Sequence, residues 1–319
     1  MSDGPVFLVG FPRSGTTLLD AMMSMHPRLA MTHEWRYIPE LLQPRRDGTL
    51  RSAIDVIREA ADMPMVGMQL VDVGEAERRV SSMEGASPAD ACRCLFELYA
   101  AAVGKPRWGD KTPRNLWHLD VLGTAFPDAC FLHLVRDGRE VADANRDAPW
   151  GSRSLRYWSS QWATGVAAAR AAGARLGDRY FEIRYEQLVG DPKGTLQEVC
   201  AFIGEDFVDE QLAYQDAVAA YRDVLPAHHH NLLKPPTPGL RDWRSRWTPR
   251  QRAAVEAIAG PVLDQLGYPR SMAPPGEWRE RRERAVAAAF AIENRARTSW
   301  QQRHPTVRGL ARRVLAPWR

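Results

Sequence analysis

Residues 6–17 read VFLVGFPRSGTT, and no other stretch constrains the fold of this chain as much. A short apolar strand ends at Gly10, a second glycine follows at Gly15, and Thr16 and Thr17 lead into LLDAMMSMH (18–26), a helix that Pro27 stops. A strand turned by glycines straight into a helix belongs to a parallel sheet with helices packed on its faces. The two glycines keep the spacing of the G-x-x-x-x-G-K-[ST] phosphate loop, but Thr16 stands at the lysine position. Such a loop turns consecutive backbone N–H groups towards an anion at a helix N-terminus, where the helix dipole favours negative charge. Arg13 offers the cation, with a planar fork suited to two-point contact with an anionic group. The missing lysine is the group that bridges β- and γ-phosphates, so the loop suits a shorter anionic group than a nucleoside triphosphate.

Strand and helix signals alternate through the rest of the chain. CFLHLV (130–135) is a second buried strand that runs through RDGREVADAN into a helix, YFEIRYE (180–186) is a third, and PRW (106–108) reads as a short one. Ser87-Pro88 opens one helix, Asp191-Pro192 opens another that closes at Gly204, and Thr248-Pro249 opens a third that ends near Gly267. The expectation is an α/β, P-loop-like three-layer fold: a central parallel sheet flanked by helices, plus a basic helical C-terminal extension. In such sheets ligands sit outside the carboxyl ends of the strands. Residues 226–249, rich in proline, read as a long ordered loop of the kind that often serves a function.

The chain has 319 residues, of which 45 % are hydrophobic, which supports one large core and argues against wholesale disorder. Its net charge of +4 is unevenly placed: residues 277–319 hold eleven arginines and four acids, a surplus of +7 that leaves −3 on the remainder. The basicity describes an appendage, so no nucleic-acid partner is expected. The expected division is a catalytic domain over 1–275 and an arginine-rich helical extension over 276–319. That extension reads as a helix to about residue 303, solvated or packed on a subunit, with contact to a membrane surface or acidic partner as the alternative. The longest apolar runs, such as AVAAAFAI (285–292), fall well short of the roughly 20 residues of a membrane span. The chain enters an apolar strand almost at once, without the basic start or cleavage site of a secretory leader, and the expected location is cytoplasmic. Cys92 and Cys94 read as packing residues of a helix, and Cys130 and Cys200 add no disulfide pattern. His228, His229 and His230 are adjacent in the proline-rich loop, where neighbours rarely converge on one ion, so no metal is expected.

Two of these motifs together resemble a known family. GFPRSGTT is similar to the 5′-phosphosulfate loop of sulfotransferases that use 3′-phosphoadenosine-5′-phosphosulfate (PAPS), and FLHLVRDGREVADAN (131–145) to their 3′-phosphate motif; IRYEQLVGDP (183–192) adds a third match in the same order. The resemblance spans roughly residues 6–39, 105–147 and 180–204. It implies PAPS as donor, the bisphosphate PAP as product, and a hydroxyl-bearing acceptor. Arg13, Ser14, Gly15, Thr16 and Thr17 would hold the 5′-phosphosulfate and Arg136 the 3′-phosphate. Family members usually carry a serine eight positions after that arginine; here the position is Ala144, and Asn145 next to it is the expected substitute.

Sulfuryl transfer needs a base for the acceptor proton and positive charge at the transferring group and the leaving oxygen, with no demand for a metal. Two candidate bases lie together in MTHEWRYIPELL (31–42), His33 and Glu34. PRSGTTLLDAMMSMHPRLAMTHEWRYIP is similar, without a gap, to tyrosylprotein-type sulfotransferases, whose catalytic glutamate and substrate-side arginine fall on Glu34 and Arg36. Many cytosolic small-molecule members use a histidine, which keeps His33 in play as base or substrate contact. Lys111 in RWGDKTPRN matches the lysine that precedes a proline in the tyrosylprotein type and is expected to stabilise the leaving oxygen, with Arg13 supplying further positive charge. Tyr185 reads as a hydrogen-bond partner of the nucleotide or as a core tyrosine, and Arg241 and Lys234 as residues that close over the 3′-phosphate. Trp150, Trp158 and Trp162 line an acceptor pocket or, as the helical spacing of the last two favours, simply pack. A P-loop kinase or NTPase is the alternative function, opposed by the absent loop lysine and by Arg136 where an acidic metal ligand would stand. A non-catalytic nucleotide-binding or membrane-associated protein is the third.

Overall fold

The structure is a computed structural model that describes residues 4–65, 67–148, 152–219, 231–237, 242–273, 276–278 and 280–288. Trp150, His228–His230, Arg241 and most of the basic extension lie outside the described residues. The chain divides into two compact units: Met1–Arg136, Val166–Ala220 and His228–Pro238 form the first, Asp137–Gly165, Tyr221–Ala227 and Gly239–Arg319 the second.

The first unit is built on five parallel strands, β1 (Val6–Gly10), β2 (Leu29–His33), β3 (Arg107–Lys111), β4 (Cys130–Val135) and β5 (Tyr180–Arg184), in the order β2-β3-β1-β4-β5. The sheet carries helices on both faces: α1 (Thr16–Ser24), α2 (Ile38–Leu41), α3 (Ala53–Ala61), α4 (Val73–Ser81), α5 (Pro88–Ala102) and α6 (Leu119–Ala125) come before or between β1 and β4. Helix α7 (Gly138–Arg146) belongs to the second unit, and α8 (Leu155–Leu176) begins there and ends in the first; α9 (Tyr185–Gly190), α10 (Pro192–Ile203) and α11 (Tyr214–Ala219) complete the first. This is the expected three-layer α/β arrangement.

Strand β1 shows why both faces must be covered. All five of its residues are buried, and they alternate: Phe7 and Val9 join one core with α3, α5 and α6, while Val6 and Leu8 join another with α1 and α10. In the first core Phe7 stacks on Phe131 with ring centroids 5.4 Å apart and meets the edge of Trp108 at 5.7 Å. Helix starts follow the expected chemistry. Ser87 and Asp90 form a reciprocal cap with Pro88 in the first turn, Asp191 caps α10 ahead of Pro192, and Gly204 closes α10 at φ 80°.

Strand β2 was not legible as a strand, and β3 only as PRW. Leu-Ala-Met-Thr-His holds one β-branched residue, and the second half of β3 is Gly-Asp-Lys, residue types that strands disfavour. Pairing decides both: β2 lies against β3 from Leu29↔Arg107 to His33↔Lys111. Lys111 is therefore the last residue of a strand, not a residue beyond it.

The second unit holds α7, the start of α8, α12 (Trp243–Arg246) and α13 (Pro249–Gln265), the last opened by a Thr248–Gln251 capping box. Trp162 is fully buried there, its ring against Gly138, where a Cβ would come within 2.4 Å, so it packs. Trp158 donates its indole N–H to the Ser152 carbonyl and meets Tyr157 edge-on. The beginning of the basic extension packs too: Ala287 is buried and Glu283 pairs with Arg156. Among the described residues no helix is long and apolar enough to cross a membrane. The four cysteines are free, and burial pushes the Cys92 thiol up to about 12. Removing the ring at the centre of the first core, Phe7→Ala, is expected to cost about 3–5 kcal/mol, read as a lower denaturant midpoint at unchanged m-value.

Candidate active site

Every strand of the sheet delivers a candidate residue at its carboxyl end. Arg13 to Thr17 follow β1, His33 ends β2 and Glu34 and Arg36 follow it, Lys111 ends β3, Arg136 follows β4, and Tyr185 follows β5. All of them lie in the first unit.

The loop after β1 is held open by a left-handed residue at each of two places. Gly15, the N-cap of α1, has φ 99°, and a Cβ on it would come within 2.4 Å of the Tyr185 ring. Arg13 has φ 73°, and only one other non-glycine residue among those described has positive φ: Glu34, at 62°. Backbone held in this region costs of order 1–3 kcal/mol per residue and persists where the surroundings demand it. Both instances fall on candidate site residues. The Ser14 hydroxyl is buried and has no hydrogen-bond partner among the described residues, and Thr16 is buried beside it while Thr17 is half-buried. A loop of this form, with an orphaned hydroxyl and a cradle that a side chain at residue 15 would fill, fits the phosphosulfate end of a nucleotide.

Arg136 lies with its guanidinium 4.2 Å from the centre of the Tyr185 ring and donates to the Arg13 carbonyl at 3.4 Å. Tyr185 thus packs on Gly15 and carries Arg136. Arg139, the second arginine of the same motif, is buried in the second unit, bound to Asp137 and Glu256. Asn145 lies on α7 of that unit, where its amide donates to the Val141 carbonyl at 2.9 Å. Lys234 is exposed, and its carbonyl accepts from Tyr214.

The candidate reacting groups come together at β2 and β3. The ladder between these strands continues one rung past His33, where the Glu34 N–H donates to the Lys111 carbonyl at 3.0 Å. That rung brings the half-exposed Glu34 carboxylate to 3.5 Å from the buried Lys111 ammonium. Two acids that sequence reasoning missed hold this corner. Asp20, on α1, accepts from His33 Nδ1 at 2.8 Å and lies 3.8 Å from Lys111 Nζ; its charge holds the His33 imidazole above its ordinary range. Asp110, fully buried, accepts from Thr32 and Thr112 hydroxyls, the Trp35 N–H and the Asn115 amide, tying β2, β3 and the turn after Glu34 together. The signal for both was a lone acid inside a stretch destined for burial, LLDAMM and RWGDK. Arg36 is exposed, its guanidinium 5.4 Å from the Tyr37 ring. Among the described residues no group of three or more His, Cys, Asp or Glu side chains is placed to hold a metal ion.

A parallel sheet whose first strand runs into a glycine loop without lysine, with an acid–lysine pair on the neighbouring strand ends, has the outline of a nucleotide-dependent group-transfer enzyme distinct from the triphosphate users. Residues 5–209 match the model of the sulfotransferase family. The chain is 26 % identical over 283 residues to a protein-tyrosine sulfotransferase of Drosophila melanogaster, covering 85 % of this chain and 52 % of that one. It is 25 % identical over 284 residues to protein-tyrosine sulfotransferase 1 of Danio rerio, covering 85 % and 74 %. Among solved structures, the sulfotransferase domain of the Synechococcus PCC 7002 olefin synthase shares the fold, with a TM-score of 0.61 at 24 % identity over 83 % of this chain and 94 % of that one. The chain belongs to the sulfotransferase family, and its class of chemistry is PAPS-dependent sulfuryl transfer. It spans about half the length of the fly relative and three quarters of the zebrafish one.

Burial pushes the Asp110 carboxyl up to about 6, against the hydrogen bonds from Thr32, Thr112 and Trp35 that lower it. A carboxyl raised in the folded state binds its proton more tightly there than in the unfolded chain, so stability declines as pH rises from the ordinary 3.8 to about 6. Wild type is expected to lose stability relative to Asp110→Asn between pH 4 and pH 7. Denaturant unfolding at both pH values measures it, and an unchanged difference would remove the buried ionising carboxyl from the account.

Proposed function

We propose that this chain moves a sulfuryl group from PAPS to a hydroxyl of its acceptor, with Glu34 as the base. The observation that carries this reading is the 3.5 Å pairing of Glu34 with buried Lys111 on strand ends that flank an anion loop without lysine. Bound PAPS would bring the sulfuryl group and, in its 5′-phosphate, the leaving group. Arg13, Ser14, Gly15, Thr16 and Thr17 would hold the phosphosulfate through backbone N–H groups, hydroxyls and the Arg13 fork, and Arg136 would hold the 3′-phosphate. Glu34 takes the proton of the acceptor hydroxyl as its oxygen attacks sulfur. Lys111 and Arg13 place positive charge where the bridging oxygen gains an electron pair as the S–O bond breaks. Exposed Arg36 is the acceptor-side contact. The fly and zebrafish relatives are named for protein tyrosine, which makes a peptide phenol the first acceptor to assay, ahead of sugars, lipid headgroups and small molecules. The catalytic domain in this reading is 1–275, with 276–319 appended.

Two variants test it with labelled PAPS and calorimetry. Glu34→Gln is expected to lower kcat by about 100-fold or more while PAP binds as before; weaker PAP binding with turnover intact would unseat the base. Arg136→Ala is expected to weaken PAP far more than adenosine 5′-phosphate, and equal weakening of both would place the 3′-phosphate elsewhere.

A further inference from the structure

Helix α1 carries one acid among apolar neighbours, Asp20 in LLDAMM, and the helix buries it almost completely, 2 % exposed. A buried carboxylate is costly unless cations and hydrogen bonds meet it. Asp20 meets two basic groups from two different strands: His33 Nδ1 at 2.8 Å from β2 and Lys111 Nζ at 3.8 Å from β3. Its other oxygen, Oδ1, is buried with no hydrogen-bond partner among the described residues. His33 and Lys111 are cross-strand partners in the β2–β3 register, so one carboxylate on α1 reaches both. Lys111 in turn stands 3.5 Å from Glu34. The result is a row of alternating charge, His33, Asp20, Lys111, Glu34, drawn from a helix and two strand ends.

Other charged and titratable groups facing this row are few. Asp110 reinforces the charge on His33, Lys111 opposes it, and Tyr99 on α5 feels the Asp20 charge while donating its hydroxyl to the Met31 carbonyl. None of these replaces Asp20 as the partner of His33. The hydrogen bond from Nδ1–H fixes which ring nitrogen faces the acid, and half of the imidazole remains exposed beside Glu34.

We propose that Asp20 is a positioning residue for sulfuryl transfer: its buried carboxylate orients the His33 imidazole through Nδ1 and anchors the Lys111 ammonium within reach of Glu34. This rests on the reading above that Lys111 and Glu34 stand at the reacting centre. With Nδ1 bound to Asp20 and the charged form of the ring favoured by that acid, His33 would contribute positive charge and leave proton removal to Glu34.

The sign of the pH effect follows. A histidine whose folded value is raised keeps its charge below that value and loses it as pH climbs through it, so turnover that uses the imidazolium falls along an alkaline limb at that pH. The test measures the His33 titration by NMR and the pH profile of kcat in wild type, Asp20→Asn and His33→Gln. Wild-type His33 is expected to titrate above 6.5, the ordinary value, and the limb to follow it. In Asp20→Asn both move to lower pH and kcat at neutral pH falls about 10- to 100-fold, as for a misplaced catalytic group, while PAP binding measured by calorimetry holds; in His33→Gln the limb disappears. A limb at the same pH in wild type and Asp20→Asn overturns the proposal, as does a wild-type His33 that titrates at or below 6.5. If Asp20→Asn does not fold, wild type and His33→Gln decide alone: a limb common to both sinks it. Full turnover in Glu34→Gln would overturn the base assignment and leave the comparison of limbs intact, so the two failures are distinct.

Discussion

A lysine ammonium taken out of water must have negative charge beside it, and the placement of Lys111 organises the reacting corner of this enzyme. Lys111 is the last residue of β3, buried, with Asp20 on one side and Glu34 on the other. Neither acid is near it in sequence. The β2–β3 register brings both: it sets His33 opposite Lys111 and adds the Glu34 rung, while α1 crosses behind with Asp20. A slip of one residue between these strands would turn Lys111 to the other face and separate every member of the row. Asp110, itself on β3, guards against that slip, since its four donors come from β2, the turn after Glu34 and, twice, the segment that follows β3.

The anion side of the site is fixed by different means. There the contacts are backbone geometry and ring packing: Gly15 and Arg13 in the left-handed region, Tyr185 against the glycine, Arg136 over the tyrosine. A loop built on N–H groups and an arginine fork can carry positive potential without a lysine, in keeping with the phosphosulfate site proposed for it. The two non-glycine residues of positive φ among those described, Arg13 and Glu34, fall one on each side of the site.

How much of this was legible in the sequence depends on what kind of interaction places each residue. The strand–loop–helix unit, the helix caps at Ser87, Asp191 and Thr248, and the strands β4 and β5 rest on local chemistry, and sequence reasoning found them. Strand β2 and the Gly-Asp-Lys half of β3 rest on pairing across more than seventy residues, and propensity points the other way. Among the site residues, Glu34 and Lys111 were named one by one, but their proximity is a property of the register. Asp20 and Asp110 went unnoticed because an acid in an apolar stretch has no periodic signature; only burial reveals that it must be paired. Tyr185 was read as a hydrogen-bonding or core residue; its ring does pack against the core, and it also lies between Gly15 and Arg136, a placement with no sequence signal.

The RDGR motif shows the same limit from the other direction. Its two arginines look equivalent in the sequence, yet they belong to different units and do different work. Arg136 belongs to the first unit, its guanidinium supported on the Tyr185 ring at the strand ends. Arg139 is fully enclosed in the second: it binds both oxygens of Asp137, reaches Glu256 and the Pro269 carbonyl at 2.8 Å, and stacks 4.4 Å from the centre of the Trp243 ring. Glu256 is itself held by Ser271 and Met272. A buried guanidinium committed to two carboxylates and a carbonyl serves the packing of its own unit, whereas Arg136 is the arginine of the motif that stands at the strand ends. Within the second unit, Arg139 donates through its backbone N–H and its side chain to Asp137, the N-cap of α7, and so belongs to the start of that helix.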